Sequence, residues 1–181
     1  MLALGGSVAL ATLPQQSNAV NLATQANVTI TNTVAADQQA GNAVTALGDV
    51  NGDGIGDLAV ATPYANRGAG TAQGAVWVVY GSATPITVDL ANLGAQGYSI
   101  SGRTDHSMLG QSVAAAGDVN HDGLADIIIG SPQEDNGGPG TTNAGSAIVV
   151  FGARSQSSFS AGSLGARGFS IGMPSVTDQN R

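Results

Sequence analysis

The chain repeats itself, and that repeat limits its fold more than any other feature. Gly41 to Pro63 runs Gly-Asn-Ala-Val-Thr-Ala-Leu-Gly-Asp-Val-Asn-Gly-Asp-Gly-Ile-Gly-Asp-Leu-Ala-Val-Ala-Thr-Pro. Gly110 to Pro132 follows the same pattern 69 residues later without a gap. Downstream, Gly74 to Gly81 matches Gly145 to Gly152, and Leu93 to Ile100 matches Leu164 to Ile171, both 71 residues apart. A fixed period of this size means supersecondary units that bury their apolar faces by stacking on one another. A partial copy stands in front: Asn21 to Thr31 is similar to Asp89 to Ser101, which supplies only the last strand of a unit.

Each unit divides into four short strands. They are expected near 43–47 and 112–116, 57–62 and 126–131, 75–80 and 146–151, and 97–101 and 168–172. Leu58 to Ala61 and Ile127 to Ile129 are apolar without alternation, which predicts strands buried on both faces. The third strand collects the Val, Ile and aromatic residues that favour sheets. Gly/Pro/Asn stretches at 65–74 and 133–145 are expected turns. No capped apolar period of 3.6 residues is long enough for a helix. The fold class is therefore all-β: two four-stranded antiparallel blades stacked as in a propeller.

Composition narrows the function. At 181 residues the chain is about one domain. Hydrophobic residues make up 42% and charged residues 9%, the reverse of a disordered chain. The 27 glycines do not recur at every third position, so a collagen helix is excluded. No apolar run reaches the ~18 residues of a membrane span. Acids outnumber bases 12 to 5, giving a formal charge of −7. Such a surface repels phosphate backbones, which argues against nucleic acid and for a cation as partner. Cysteine is absent, so neither a disulfide framework nor a thiolate metal site can form.

Two acidic loops carry the chemistry. Asp49-x-Asn51-x-Asp53-Gly54-x-x-Asp57 recurs as Asp118-x-Asn120-x-Asp122-Gly123-x-x-Asp126. Alternate loop positions can turn oxygen ligands inward around one hard divalent cation. Positions one, three and five give carboxylate, amide and carboxylate. Position six turns sharply, which suits Gly. Position seven offers the carbonyl of Ile55 or Leu124, and position nine closes the sphere with Asp57 or Asp126. Without a cation, like charges about 4 Å apart repel by roughly 4 kcal/mol per pair at an effective dielectric near 20. Asp, Asn and Gly are also ordinary turn residues, but two such loops in register within a longer repeat are hard to assign to turn chemistry alone. An EF-hand does not fit, because its twelfth-position Glu is replaced by Val60 and Ile129 and strands follow the loops. An oxygen cage supplied by protein favours Ca²⁺ over Mg²⁺. Two Ca²⁺ ions would bring the formal charge of −7 to −3.

These residues resemble the FG-GAP repeats of the integrin α-subunit β-propeller and its bacterial relatives. The name-giving Phe-Gly is met by Ala40-Gly41 and Leu109-Gly110, and the terminal Gly-Ala-Pro by Ala61-Thr62-Pro63 and Gly130-Ser131-Pro132. The metal loops are kept in full. The resemblance covers about 20–172 and implies Ca²⁺ in each loop, between the first two strands of a blade. It also implies a closed ring of about seven blades, whose last blade is completed by an N-terminal strand; the strand near 27–31 suits that role. Two blades cannot close a ring, so the resemblance implies a fragment of a longer chain or an assembly of several chains.

The first residues, apolar and then Ser17-Asn18-Ala19, resemble the end of a secretory signal cleaved after Ala19. The rival reading is a decayed repeat strand, since Leu4 to Ala9 echoes Leu109 to Ala114. The chain then divides into a signal remnant at 1–19, an N-terminal strand at 20–39, repeats at 40–102 and 103–172, and the start of a further unit at 173–181. Asn27-Val-Thr29 is a glycosylation sequon. His106 lies between Asp105 and Ser107, and sequence neighbours do not converge as a catalytic triad does. His121 takes a loop glycine's place and is expected in solvent. Tyr80/Phe151, Tyr98/Phe169 and Trp77/Ile148 recur at the repeat spacing, as core packed between blades would. The expected protein is a non-catalytic, Ca²⁺-binding module outside the cell or on its surface, for adhesion or for a protein or glycan ligand. The alternative is the propeller part of a larger secreted hydrolase.

Overall fold

A computed structural model describes residues 28–32, 39–66, 72–135 and 143–172. The signal remnant, the sequon's Asn27, most of the two Gly-rich turns and the segment 173–181 lie outside the described residues.

All regular structure among the described residues is β, apart from single 3-10 turns at Gly94–Gln96, Ala161–Ser163 and Gly165–Arg167. The N-terminal strand is β1 (Val28–Thr31). Unit 1 contains β2 (Ala43–Gly48), β3 (Asp57–Thr62), β4 (Ala75–Val79), β5 (Ile86–Asp89) and β6 (Gly97–Ser101). Unit 2 contains β7 (Ser112–Gly117), β8 (Asp126–Ser131), β9 (Ser146–Val150), β10 (Phe159–Ser160) and β11 (Gly168–Gly172). The four main strands of each unit form an antiparallel blade in the order β2-β3-β4-β6 and β7-β8-β9-β11. The two blades repeat in register: Val60 faces Trp77 across β3 and β4, and Ile129 faces Ile148 across β8 and β9.

The short strands β5 and β10 are an addition to the four strands expected per unit. Both pair outside their own blade, in parallel. β10 extends β6 of unit 1, with Phe159 opposite Ile100. β5 pairs with β1, with Val88 opposite Ile30. β1 thus stands to unit 1 as β6 stands to unit 2, in the place of a preceding unit's last strand.

Two apolar layers result. Between the blades, Ala59, Val78, Tyr98 and Ile100 meet Ile127, Ile129, Ile148 and Val150. On the other side of unit 1, Val60, Trp77 and Val79 pack with Val88, Leu90 and Leu93, and with Val28 and Ile30 of β1. Trp77 is core, as expected, and its Nε1 donates to the Leu90 carbonyl at 2.7 Å. Two burial expectations need correction. Leu58 is 37% exposed although its counterpart Ile127 is fully buried. Phe169 is 41% exposed although Tyr98 is 2% exposed. Both lie on faces that no further blade covers among the described residues.

Candidate metal-binding loops

Each acidic loop joins the first and second strands of its blade, after a register shift at the end of β2 or β7. That bulge opens the hairpin so that nine residues turn back within one loop.

Loop 1 is closed by its own amides. Asp49 Oδ1 accepts from Gly52 N at 2.6 Å and Asp53 N at 3.2 Å, and Oδ2 accepts from Gly54 N at 2.8 Å. Asn51 Oδ1 accepts from Asp53 N, and Asp53 Oδ1 from Ile55 N at 2.8 Å. The Asn51 amide also donates to Asp53 Oδ2 at 3.1 Å. Loop 2 repeats this: Asp118 accepts from Asp122 N and Gly123 N, Asn120 from Asp122 N, and Asp122 from Leu124 N. Each side chain at positions one, three and five is thereby oriented by backbone donors.

The ninth position works differently. Asp57 is buried, and its oxygens accept from Val50 N and from Gly81 N, both at 2.8 Å. Asp126 is buried likewise, accepting from Val119 N at 2.7 Å and Gly152 N at 2.9 Å. Each carboxylate ties the loop's start to the turn after the third strand. Charge-assisted bonds of this kind contribute about 1.5–3 kcal/mol each. Gly81 and Gly152 were visible in the repeat, but nothing in the sequence gave them a task. A Cβ on Gly81 would lie 2.2 Å from the Gly56 carbonyl oxygen, and one on Gly152 would lie 2.6 Å from that of Ala125. Only glycine can bring its N–H so close.

Loop 1's end carboxylates have opposite acidities. Burial, aided by the charges of Asp53 and Asp49, raises the Asp57 carboxyl above the usual range despite its two backbone donors. At Asp49 desolvation also raises the pKa, but backbone N–H groups led by Gly54 and Gly52 outweigh it, and the carboxyl lies below the usual range.

The donor set fits a hard dication in its chemistry, since it offers only carboxylate, amide and carbonyl oxygens. A carboxylate accepting one or two bonds keeps lone pairs for a metal. The side chains of Asp49, Asn51, Asp53 and Asp57 share one loop, as do those of Asp118, Asn120, Asp122 and Asp126. Among the described residues, however, no three acidic or His side chains draw together as a metal-holding group. Ile55 and Leu124 hold the seventh positions through their N–H bonds to Asp53 and Asp122. His121 is exposed, as expected, and its backbone is left-handed at φ 60°.

The model of the FG-GAP repeat matches residues 40–79 and 109–150, which span both loops and the strands around them. These are FG-GAP repeats. The repeat-bearing region is 38% identical over 92 residues to integrin alpha-3 of Cricetulus griseus, covering 51% of this chain and 8% of that protein. It is 35% identical over 96 residues to integrin alpha pat-2 of Caenorhabditis elegans, covering 53% of this chain and 7% of that one. It is 34% identical over 110 residues to phosphatidylinositol-glycan-specific phospholipase D of Mus musculus, covering 59% of this chain and 12% of the enzyme. The match spans about a tenth of each relative's length.

Proposed function

We propose that the two FG-GAP loops bind one Ca²⁺ each and that the chain is an extracellular or cell-surface propeller module for a protein or glycan ligand. The observation that carries this is the closely matching wiring of two oxygen-only loops, each anchored by a buried Asp, with only the Gly52 N bond to Asp49 lacking a counterpart at His121. A bound Ca²⁺ would supply positive charge that offsets the repulsion among three carboxylates. The ligands are Asp49, Asn51, Asp53, the Ile55 carbonyl and Asp57, with Asp118, Asn120, Asp122, the Leu124 carbonyl and Asp126 in the second loop. Backbone amides orient Asp49 and Asp118 one by one, and binding would still have to draw the other ligands of each loop toward a common centre. Further blades, from a longer chain or from other subunits, would complete the ring. The repeats take no catalytic part.

A second reading follows from the similarity to the phospholipase D: the same non-catalytic blades would belong to a larger secreted hydrolase. In either case the loops are tested by isothermal titration of the full chain with CaCl₂ after chelation. Two binding events are expected, with Asp53→Ala and Asp122→Ala each removing one. No heat at millimolar Ca²⁺ from the folded protein would end the calcium reading. Binding to glycan and matrix-protein arrays, with and without chelator, tests the ligand.

A further inference from the structure

The two acidic loops are joined through the backbone where unit 2 stacks on loop 1. Two paths of hydrogen bonds cross that junction. In the first, Ala125 N donates to the Asp49 carbonyl at 2.9 Å. The peptide group that gives this N–H also carries the Leu124 carbonyl, the seventh position of loop 2. The peptide group that accepts it gives its own N–H, that of Val50, to Asp57 Oδ2 at 2.8 Å. Two peptide groups in series thus connect the seventh position of loop 2 to the ninth position of loop 1. In the second path, Gly152 N donates to Asp126 Oδ1 at 2.9 Å. The next residue, Ala153, donates its N–H to the Val50 carbonyl, also at 2.9 Å. Val50 therefore stands between the ninth-position carboxylates of both loops. Its N–H holds Asp57, and its carbonyl is held by the segment that holds Asp126.

The junction is buried and closely fitted. Val50 and Asp57 are 1% exposed, and Asp126 is not exposed at all. A Cβ on Gly152 would lie 2.6 Å from the Ala125 carbonyl oxygen and 2.9 Å from that of Val50, so the two paths run side by side with no room between them. In such surroundings hydrogen bonds in series polarise one another.

We infer that the two loops bind their cations cooperatively, a Ca²⁺ on either loop raising the affinity of the other. The inference rests on the calcium reading and adds a link between its two sites. Binding must draw the ligands of a loop toward a common centre, which costs order. Fixing Leu124 and Asp126 in loop 2 also fixes the Ala125 and Ala153 N–H groups that hold Asp49 and Val50. Part of the ordering cost of loop 1 is then met in advance. Linkage makes the effect reciprocal. Repulsion between two dications opposes it, but salt screens that repulsion more than it screens bonds in a buried junction. The gain in affinity is therefore expected to grow with ionic strength.

The test is a Ca²⁺ titration of the ¹⁵N-labelled full chain by amide NMR, with the Gly54 and Gly123 signals reporting loops 1 and 2 separately. Loop 1 is expected to bind about fivefold more weakly in Asp122→Ala than in the parent chain, and loop 2 more weakly by the same factor in Asp53→Ala. Through-space charge predicts the opposite. The empty second loop of Asp122→Ala keeps two carboxylates, whereas three carboxylates with a dication leave the loaded parent loop at −1, so the variant's loop attracts a cation to loop 1 more strongly. A second measurement leaves loop 2 intact. In Asp53→Ala, loading loop 2 alone is expected to slow hydrogen exchange at Ala125 N–H and Val50 N–H by about fivefold. Site affinities that are unchanged or tighter in the variants would overturn the coupling, as would exchange at Ala125 and Val50 that ignores a loaded loop 2. Gly54 and Gly123 signals that do not respond to Ca²⁺ at all would instead overturn the calcium reading, and the coupling with it.

Discussion

Units 1 and 2 are close copies in sequence, yet equivalent residues live in different surroundings. Tyr98 is enclosed and Phe169 is 41% exposed; Val50 in loop 1 is 1% exposed and Val119 in loop 2 is 43% exposed. The cause is stacking. Loop 1 is covered by unit 2, whose Ala125 N and Ala153 N donate to the carbonyls of Asp49 and Val50, both at 2.9 Å. Arg154 reaches the Gly52 carbonyl at 3.4 Å. No described unit covers loop 2 in the same way. Burial in this fold thus belongs to the neighbour as much as to the unit, which is how repeat architectures distribute their stability.

The largest test of that difference is at the paired aromatics. Tyr98 packs against Tyr80 and Phe159, with ring centroids 6.2 Å apart in each case, and Arg167 lies 5.2 Å over Phe159. Tyr98→Ala is expected to cost about 3–5 kcal/mol in chemical denaturation, as for other buried aromatics. Phe169, 41% exposed and in ring contact with Phe151, has less to lose, and Phe169→Ala is expected to cost about 1 kcal/mol. Equal costs would mean that Phe169 is covered in solution. The Tyr98 hydroxyl is buried beside the Gln156 side chain with no hydrogen bond of good geometry among the described residues, so Tyr98→Phe is expected to change stability by under about 1 kcal/mol.

A smaller effect separates the loops at position four. Gly52 is left-handed at φ 80°, and a Cβ there would lie 3.0 Å from Leu124 Cδ2 and 3.1 Å from Arg154 Nη1. His121 holds the equivalent conformation at φ 60°, with its side chain in solvent. Gly52→His is expected to destabilise by about 1–3 kcal/mol, through crowding against unit 2 added to backbone strain. His121→Gly relieves strain but frees the unfolded chain, leaving a net gain of about 0.5 kcal/mol. Thermal melts of both variants read this directly. If Gly52→His is harmless, unit 2 does not press on loop 1.

The sequence carried much of this and missed the rest for definable reasons. The four main strands of each blade were legible because the repeat pairs every apolar run with its copy, and the runs at 57–62, 126–131, 97–101 and 168–172 match β3, β8, β6 and β11 at both ends. β5 and β10 were not legible. They are short, polar in part, and exist only because a neighbouring strand offers an edge, a cause that local pattern does not carry. The loop residues were legible by type and spacing. The distinct role of Asp57 and Asp126 was hidden, because it depends on Gly81 and Gly152, 24 and 26 residues away. Phe169 was assigned to the core from its repeat partner Tyr98, and Leu58 from an apolar run without alternation; neither signal says whether a neighbouring blade covers the face.

The mildest perturbation distinguishes the two ends of loop 1 itself. In the metal-free protein, carbon-detected NMR titration is expected to find the Asp49 carboxyl below, and the Asp57 carboxyl above, the usual aspartate range. Their effects on stability run in opposite directions with pH. For Asp49, depressed in the fold, the contribution is present above the unfolded pKa and is lost as pH falls through the folded value. For Asp57, raised in the fold, the contribution is complete below the unfolded pKa and is lost as pH rises through the folded value, so the ionised Asp57 is a burden on the metal-free loop near neutral pH. A dication held by the Asp57 carboxylate reverses that sign, because opposite charge favours the ionised form. Adding Ca²⁺ is therefore expected to move the Asp57 titration below the usual range and to raise stability most near neutral pH. If Ca²⁺ binds and the Asp57 titration stays where it was, Asp57 serves only as the tie between Val50 and Gly81, and the cation is held by the first five residues of the loop.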